Sequence, residues 1–305
     1  MADPTYSFRS INVPGSAASI AEDINSNGQI LVSYSGSDPS LNNASQGCRL
    51  ARGVFKRSDF PDATQTAPSG FNDSGKIVGQ YMDSSGTWGS YVVYGGNFGP
   101  FAVSGATETY VVDIDDIGHI IGSYVDSGGA WHGFLWYRGA ATYDIVAFPG
   151  AVLTEPLGIY DQHSLVGRYS KSGPPYVWEG FLMKGSPGLS GSYTPINFPG
   201  ALATHATDIN ANGVIIGWYV DSANLTHGFV LMDGSFSTID FPGAPAGTTL
   251  AYGLDDTGQI VGQYTDPLGG GILGFLATPI TPITEAVAAQ KESMRPRRSR
   301  AGERS

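Results

Sequence analysis

The sequence predicts an all-β chain: a six-bladed β-propeller of four-stranded blades, closed by the N-terminal strand joining the last blade. Three observations predict it. A turn residue opening an apolar strand recurs at Gly28, Gly75, Gly118, His163, Gly213 and Gly258, spaced 47, 43, 45, 50 and 45 residues apart. A Phe-Pro-Gly-like triplet recurs with it, as Val13-Pro14-Gly15, Phe60-Pro61-Asp62, Val103-Ser104-Gly105, Phe148-Pro149-Gly150, Phe198-Pro199-Gly200 and Phe241-Pro242-Gly243. Each interval divides into four short strand-like runs separated by turn residues. Four-stranded units of about 40–50 residues are the repeat of a propeller blade.

The unit from Thr204 to Gly243 shows the elements in order. A first strand ends at Asp208-Ile209-Asn210. A second, Val214–Val220, is rich in β-branched and aromatic residues, as strands are. His227–Met232 and Ser235–Phe241 form the third and fourth. Asn-Gly at Asn27-Gly28 and Asn212-Gly213 is a strong hairpin signal, with Gly supplying the positive φ the turn needs. His163 fills that slot in the fourth unit. His is enriched among non-Gly residues at positive φ, so His163 reads as a turn residue. The chain opens with Tyr6–Val13, a fourth strand with no blade before it, and the last unit stops after Gly274-Phe275-Leu276. Pairing these two remnants closes the ring and removes open sheet edges.

Composition agrees. Of 305 residues, 43 are Gly and 19 Pro, only 14 % are charged, and 41 % are hydrophobic, enough for a core. No run reaches the roughly 18 apolar residues of a membrane span. The net charge is −11, but residues 281–305 carry six Lys/Arg and three Glu, leaving the body near −14. An acidic body disfavours nucleic acid and anionic membranes as partners. The expected partner is a small-molecule or carbohydrate ligand, and the expected state a monomer. Cys48 is the single cysteine, so there is no intrachain disulfide framework or thiolate metal cluster. No signal peptide is visible, and composition leaves the location open. Residues 1–280 are expected to form the propeller. Residues 281–305 form a basic tail whose Pro, Arg and Ser content predicts disorder, with a short helix possible at Glu285–Met294.

The phrase DINANGVIIGWYVD…THGFVLMDGSFSTIDFPGA, from Asp208 to Ala244, resembles the bacterial HAF-type extracellular repeat proteins, a likeness running over about residues 6–280. The resemblance implies propeller-like repeats and an extracellular or periplasmic location. It implies no particular activity. Three units depart from the pattern: Gln46-Gly47-Cys48, Gly89-Ser90-Tyr91 and Leu273-Gly274-Phe275 stand where His-Gly-Phe is expected.

Antiparallel strands send successive loops to opposite faces. The Asp-Ile-Asn turns share one face; the loops between second and third strands share the other with the Phe-Pro-Gly crossovers. On the crossover face, third strands begin with a column holding Gln46, Gly89, His132, Glu179, His227 and Leu273, preceded by Ser45, Trp88, Trp131, Trp178, Thr226 and Ile272. Trp88, Trp131, His132, Trp178, Glu179 and His227 are therefore candidate ligand-binding residues. Blade packing is the plainer reading of such columns, with the His bonding a neighbouring backbone group and the Trp filling space between sheets. The sharper reading is a stacking platform, since an indole offers a flat apolar face and one polar donor.

Nearer the axis, Glu108, Tyr110, Glu155, His205 and Tyr252 begin inner strands and are the candidate catalytic residues. A Glu and a His from neighbouring blades can form an acid–base pair. Glu155, His205 and Glu179 break the repeat, as a single active site would. Three functions follow: a ligand-binding propeller acting on the crossover face; an enzyme (lyase, hydrolase or isomerase) with one site at the mouth of the axial funnel; or a protein-interaction scaffold. Asp23-Ile24-Asn25-Ser26-Asn27-Gly28 has the alternating oxygens of a Ca²⁺ loop. The completing carboxylate is missing, with Leu31, Ile121 and Ile216 in its place in three units, and Asp and Asn favour turns for their own reasons. No phosphate loop, His-Glu-x-x-His or Gly-x-Ser-x-Gly occurs. No metal and no cofactor is expected.

Overall fold

A computed structural model describes residues 5–36, 45–161, 163–187 and 191–280. The expected tail at 281–305, with its possible helix, lies outside the described residues. In chain order the strands are β1 Tyr6–Ile11; β2 Ser16–Ile24, β3 Ile30–Gly36, β4 Ser45–Ala51 and β5 Val54–Arg57; β6 Gln65–Phe71, β7 Ile77–Met82, β8 Trp88–Tyr94 and β9 Asn97–Phe101; and β10 Glu108–Ile114, β11 Ile120–Val125, β12 Trp131–Trp136 and β13 Tyr143–Val146. They continue as β14 Leu153–Asp161, β15 Ser164–Ser170, β16 Glu179–Lys184 and β17 Ser192–Ile196; β18 Ala203–Ile209, β19 Ile215–Val220, β20 Thr226–Met232 and β21 Ser235–Ile239; and β22 Leu250–Leu254, β23 Ile260–Thr265 and β24 Ile272–Pro279. They form six four-stranded antiparallel sheets, the blades of a propeller. The last has the order β1-β24-β23-β22. Tyr6 pairs with Pro279 and Ile11 with Gly274, so the first strand completes the last blade as expected.

Local chemistry repeats around the ring. Each Phe-Pro-Gly crossover is a type II turn, which needs positive φ at its third residue. Gly200 has φ 79°, and Asp62 takes the same position at φ 59°. The amide after each triplet donates to the carbonyl of its first residue, as Ala244 does to Phe241 at 3.1 Å. The first residue's own amide donates to a Ser or Thr hydroxyl on the following inner strand, or in the last blade just before it: Ser19, Thr66, Thr109, Thr154, Thr204 and Thr249, at 2.9–3.0 Å. Where the triplet begins with Phe, its ring stacks on a second-strand Tyr. Phe148 lies 3.6 Å from Tyr169 and Phe198 3.6 Å from Tyr219, both almost parallel. The cores sit between sheets, for example Val166, Ile209, Tyr219 and Phe229.

Every inner strand carries a β-bulge at one column, occupied by Glu22, Ser69, Val112, Leu157, Thr207 and Tyr252. A bulge leaves one residue unpaired and bends its strand. Just past it the ring alternates Asp23, Gly70, Asp113, Gly158, Asp208 and Gly253. Each Asp accepts the next residue's amide on one oxygen and an amide of the following blade on the other. Asp23 receives Ile24 and Phe71, both at 2.7 Å, Asp113 receives Ile114 at 2.7 Å and Ile159 at 2.9 Å, and Asp208 receives Ile209 and Leu254, both at 2.7 Å. The alternate positions are Gly because a Cβ on Gly158 would stand 2.6 Å from the Asp208 Cα. The three carboxylates thus join the blades in pairs around the axis.

Candidate functional site

The turn face is closed by short bonds. Asn25 Oδ1 accepts the amides of Asn27 and Gln29 at 3.2 and 3.1 Å, and Asn210 Oδ1 those of Asn212 and Val214 at 3.0 and 3.1 Å. These oxygens hold Asx turns, as the turn reading expects. Their amide nitrogens reach the next blade, Asn25 Nδ2 donating to the Asn72 carbonyl at 3.2 Å and Asn210 Nδ2 to the Asp255 carbonyl at 3.0 Å. His163 is also a turn residue: its amide donates to Asp161 Oδ1 at 2.9 Å. The axial pit on this face is only about 70 Å³ and is lined by Asp23, Asp113 and Asp208 and by the neighbouring turns.

The crossover face is more open. Trp88 is 46 % exposed and Trp131 43 %, so neither indole is buried packing; Trp178 is half-buried. Trp131 lies nearly parallel to Tyr110, centroids 5.2 Å apart. The Tyr110 hydroxyl donates to Glu108, a bond that, with burial, pushes its pKa up to about 12. Trp131 and His132 stand on one wall of a cleft of about 390 Å³ between the third and fourth blades, facing Val152 and Tyr176. His132 Nε2 lies 2.9 Å from Asp126 Oδ2, and this bond holds the Asp126 carboxyl below its ordinary range.

The other motif histidine repeats the contact. His227 Nδ1 is 2.7 Å from Asp240 Oδ2, and its Nε2 3.5 Å from Asp221 Oδ2. Both His–Gly–Phe histidines therefore meet carboxylates, where sequence reasoning expected a backbone group. The reason is local: a loop Asp follows the second strand, and the third strand's His points back to it. In the fourth blade Glu179 takes the slot and accepts the Tyr169 hydroxyl at 2.7 Å and Asn197 Nδ2 at 3.1 Å. Burial raises the Glu179 pKa, but these bonds outweigh it and leave the carboxyl below its ordinary value.

At the axial mouth Glu155 and His205 are brought together through a residue the sequence reading missed. Arg168 Nε donates to Glu155 Oε2 at 2.5 Å, and Arg168 Nη1 to His205 Nδ1 at 3.2 Å. Arginine has no acceptor. Nδ1 of His205 is therefore bare, and the ring is the neutral tautomer protonated on Nε2. Burial and the adjacent Arg168 charge lower the His205 pKa to about 3. The ring stacks on Trp218 with centroids 3.6 Å apart, while the guanidinium lies 4.2 Å over Trp178. The aligned register could have disclosed Arg168, since it pairs directly with Glu155 across β14 and β15.

Tyr252 lies apart from this group. It is a bulge residue beside Glu22, and loss of solvent, with the Glu22 charge, raises its pKa. Glu22 was missed as well. Desolvation pushes its carboxyl up to about 7, against the opposing hydrogen bond from Ser33.

No protein-family model matches the chain, and no curated protein sequence matches it. Solved structures do. The Aleuria aurantia lectin in complex with Fucα1-6GlcNAc superposes with a TM-score of 0.51 at 12 % identity, over 90 % of this chain and 99 % of the lectin. A prolyl endopeptidase gives 0.52 at 13 % identity, over 91 % of this chain and 43 % of that one. The acylaminoacyl peptidase of Pyrococcus horikoshii gives 0.50 at 11 % identity, over 91 % and 55 %. At such identities the likeness is one of fold.

Proposed function

We propose that this propeller binds a carbohydrate in the crossover-face cleft between the third and fourth blades. The observation that carries the proposal is Trp131, a half-exposed indole backed by Tyr110 on the wall of a cleft of about 390 Å³. Leaving so large an aromatic surface in water is unfavourable, and a sugar's apolar C–H face covers it well. His132 and Asp126 stand beside it as a polar pair for hydroxyl groups. Val152, 59 % exposed, and Tyr176, 40 % exposed, offer further surface across the gap. The lectin's whole-chain likeness supports the reading at the level of fold, and the resemblance to HAF-type repeats fits an exported carbohydrate binder.

An enzymatic site at the axial mouth would use Glu155 and His205. Arg168 already occupies one atom of each, and His205 is held neutral. That geometry favours binding over proton transfer. The test is a titration of the full chain with mono- and disaccharides, L-fucose and N-acetylglucosamine among them, followed by indole fluorescence. Saturable quenching or a blue shift is expected for at least one sugar; no response from any of them at millimolar concentration contradicts the proposal.

A further inference from the structure

A second cleft, of about 300 Å³, opens between the first and second blades, lined by Arg49, Lys56, Arg57, Gly75, Ile77 and Phe98. It shares no residue with the crossover cleft between the third and fourth blades. Arg49 on β4 and Lys56 on β5 are directly opposed across the strand pair. Opposed residues share a face, and like charges so placed repel. Among the described residues no carboxylate lies within ion-pair reach of either. The one acidic group lining the cleft, Asp59, already holds Arg57 Nε and the amide of Gly47.

The placing is uncommon in a chain with 27 acidic residues against 16 basic ones. Acidic residues are abundant, yet among the described residues these two cations face each other without one within ion-pair reach. Arg49 also reaches over the gap: a Cβ on Gly75 of the second blade would lie 4.0 Å from its guanidinium. Two uncompensated positive charges match a dianion, and a guanidinium beside an ammonium suits phosphate oxygens. The cleft is larger than one phosphate, and Ile77 and Phe98 give it an apolar wall. We infer that it binds the phosphate monoester group of a small molecule, with Arg49 and Lys56 as the ligating cations. The site is independent of the carbohydrate reading and lies outside its residues.

Inorganic phosphate titrated calorimetrically into the full chain tests this, with sodium chloride holding ionic strength constant. The parent is expected to bind saturably, and more weakly towards acid pH, where inorganic phosphate takes up a proton and loses its second charge. Lys56→Gln and Arg49→Gln should each weaken binding at least fivefold. In phosphate-free buffer Lys56→Gln should melt at or above the parent's temperature, because it removes a repulsion. Heats equal to chloride dilution, or variants that bind as the parent does, overturn the inference.

Discussion

A half-buried carboxyl and a buried imidazole on the inner strands bend the stability curve in opposite senses. The Glu22 carboxyl sits at about 7 when folded, above its ordinary 4.5. A raised folded pKa means that its contribution is complete below about pH 4.5 and is lost as pH rises through about 7. His205 sits at about 3, below its ordinary 6.5. A lowered folded pKa means that its contribution is complete above about pH 6.5 and is lost as pH falls towards 3. Glu22→Gln should therefore gain stability relative to the parent as pH rises from about 5 to 7.5. His205→Gln, compared over the same range, should gain towards acid. Denaturation midpoints read both, and parallel pH profiles for the parent and either variant contradict that residue's assignment.

Within the blade, two contacts hold the strands in place. Thr204 is buried and receives the Phe198 amide at 3.0 Å. Thr204→Val keeps the shape but orphans that amide, so a loss of about 1–3 kcal/mol is expected in chemical denaturation. Gly217 on β19 faces the bulged inner strand so closely that a Cβ would stand 1.9 Å from the His205 carbonyl oxygen. Gly217→Ala should cost about 1–3 kcal/mol or more through overpacking. Stability unchanged in either variant would mean that the blade tolerates more shift than its bonds imply. These elements were legible in part. The strands of the fifth blade were expected to within one or two residues, because Asn-Gly, Phe-Pro-Gly and β-branched runs are local signals. The bulges were not foreseen, since an unpaired residue depends on its partner strand and leaves no mark such as Gly or Pro at Glu22 or Thr207. Trp131 and His132 could be aligned into columns, but alignment of repeats shows neither exposure nor cleft volume. Arg168 stands in a second-strand column with no repeat signal of its own, and its meeting with Glu155 is made across the strand pair.

At the scale of the ring, β1 shows how closure is achieved. Its six residues pair with Gly274–Pro279, and Phe8 packs edge-on to Phe241, centroids 5.6 Å apart. Removing residues 1–13 should bare the edge of β24 and bring aggregation or a large fall in melting temperature; a truncated chain that stays monomeric and melts with the parent rules that role out. The closed ring also divides labour between its faces. The turn face is bound together by Asp and Asn side chains, which spend their oxygens on backbone amides. The crossover face leaves indoles partly bare. The most direct measurement is calorimetric titration of the best-responding saccharide into the parent and into Trp131→Ala, with a denaturation curve for each. Binding should weaken by about 1–3 kcal/mol, the range of aromatic stacking on flat ligands. The denaturation midpoint should move little, because the indole is half exposed. Unchanged affinity, or a stability loss of about 3–5 kcal/mol as for a buried aromatic, would contradict the cleft as the carbohydrate site.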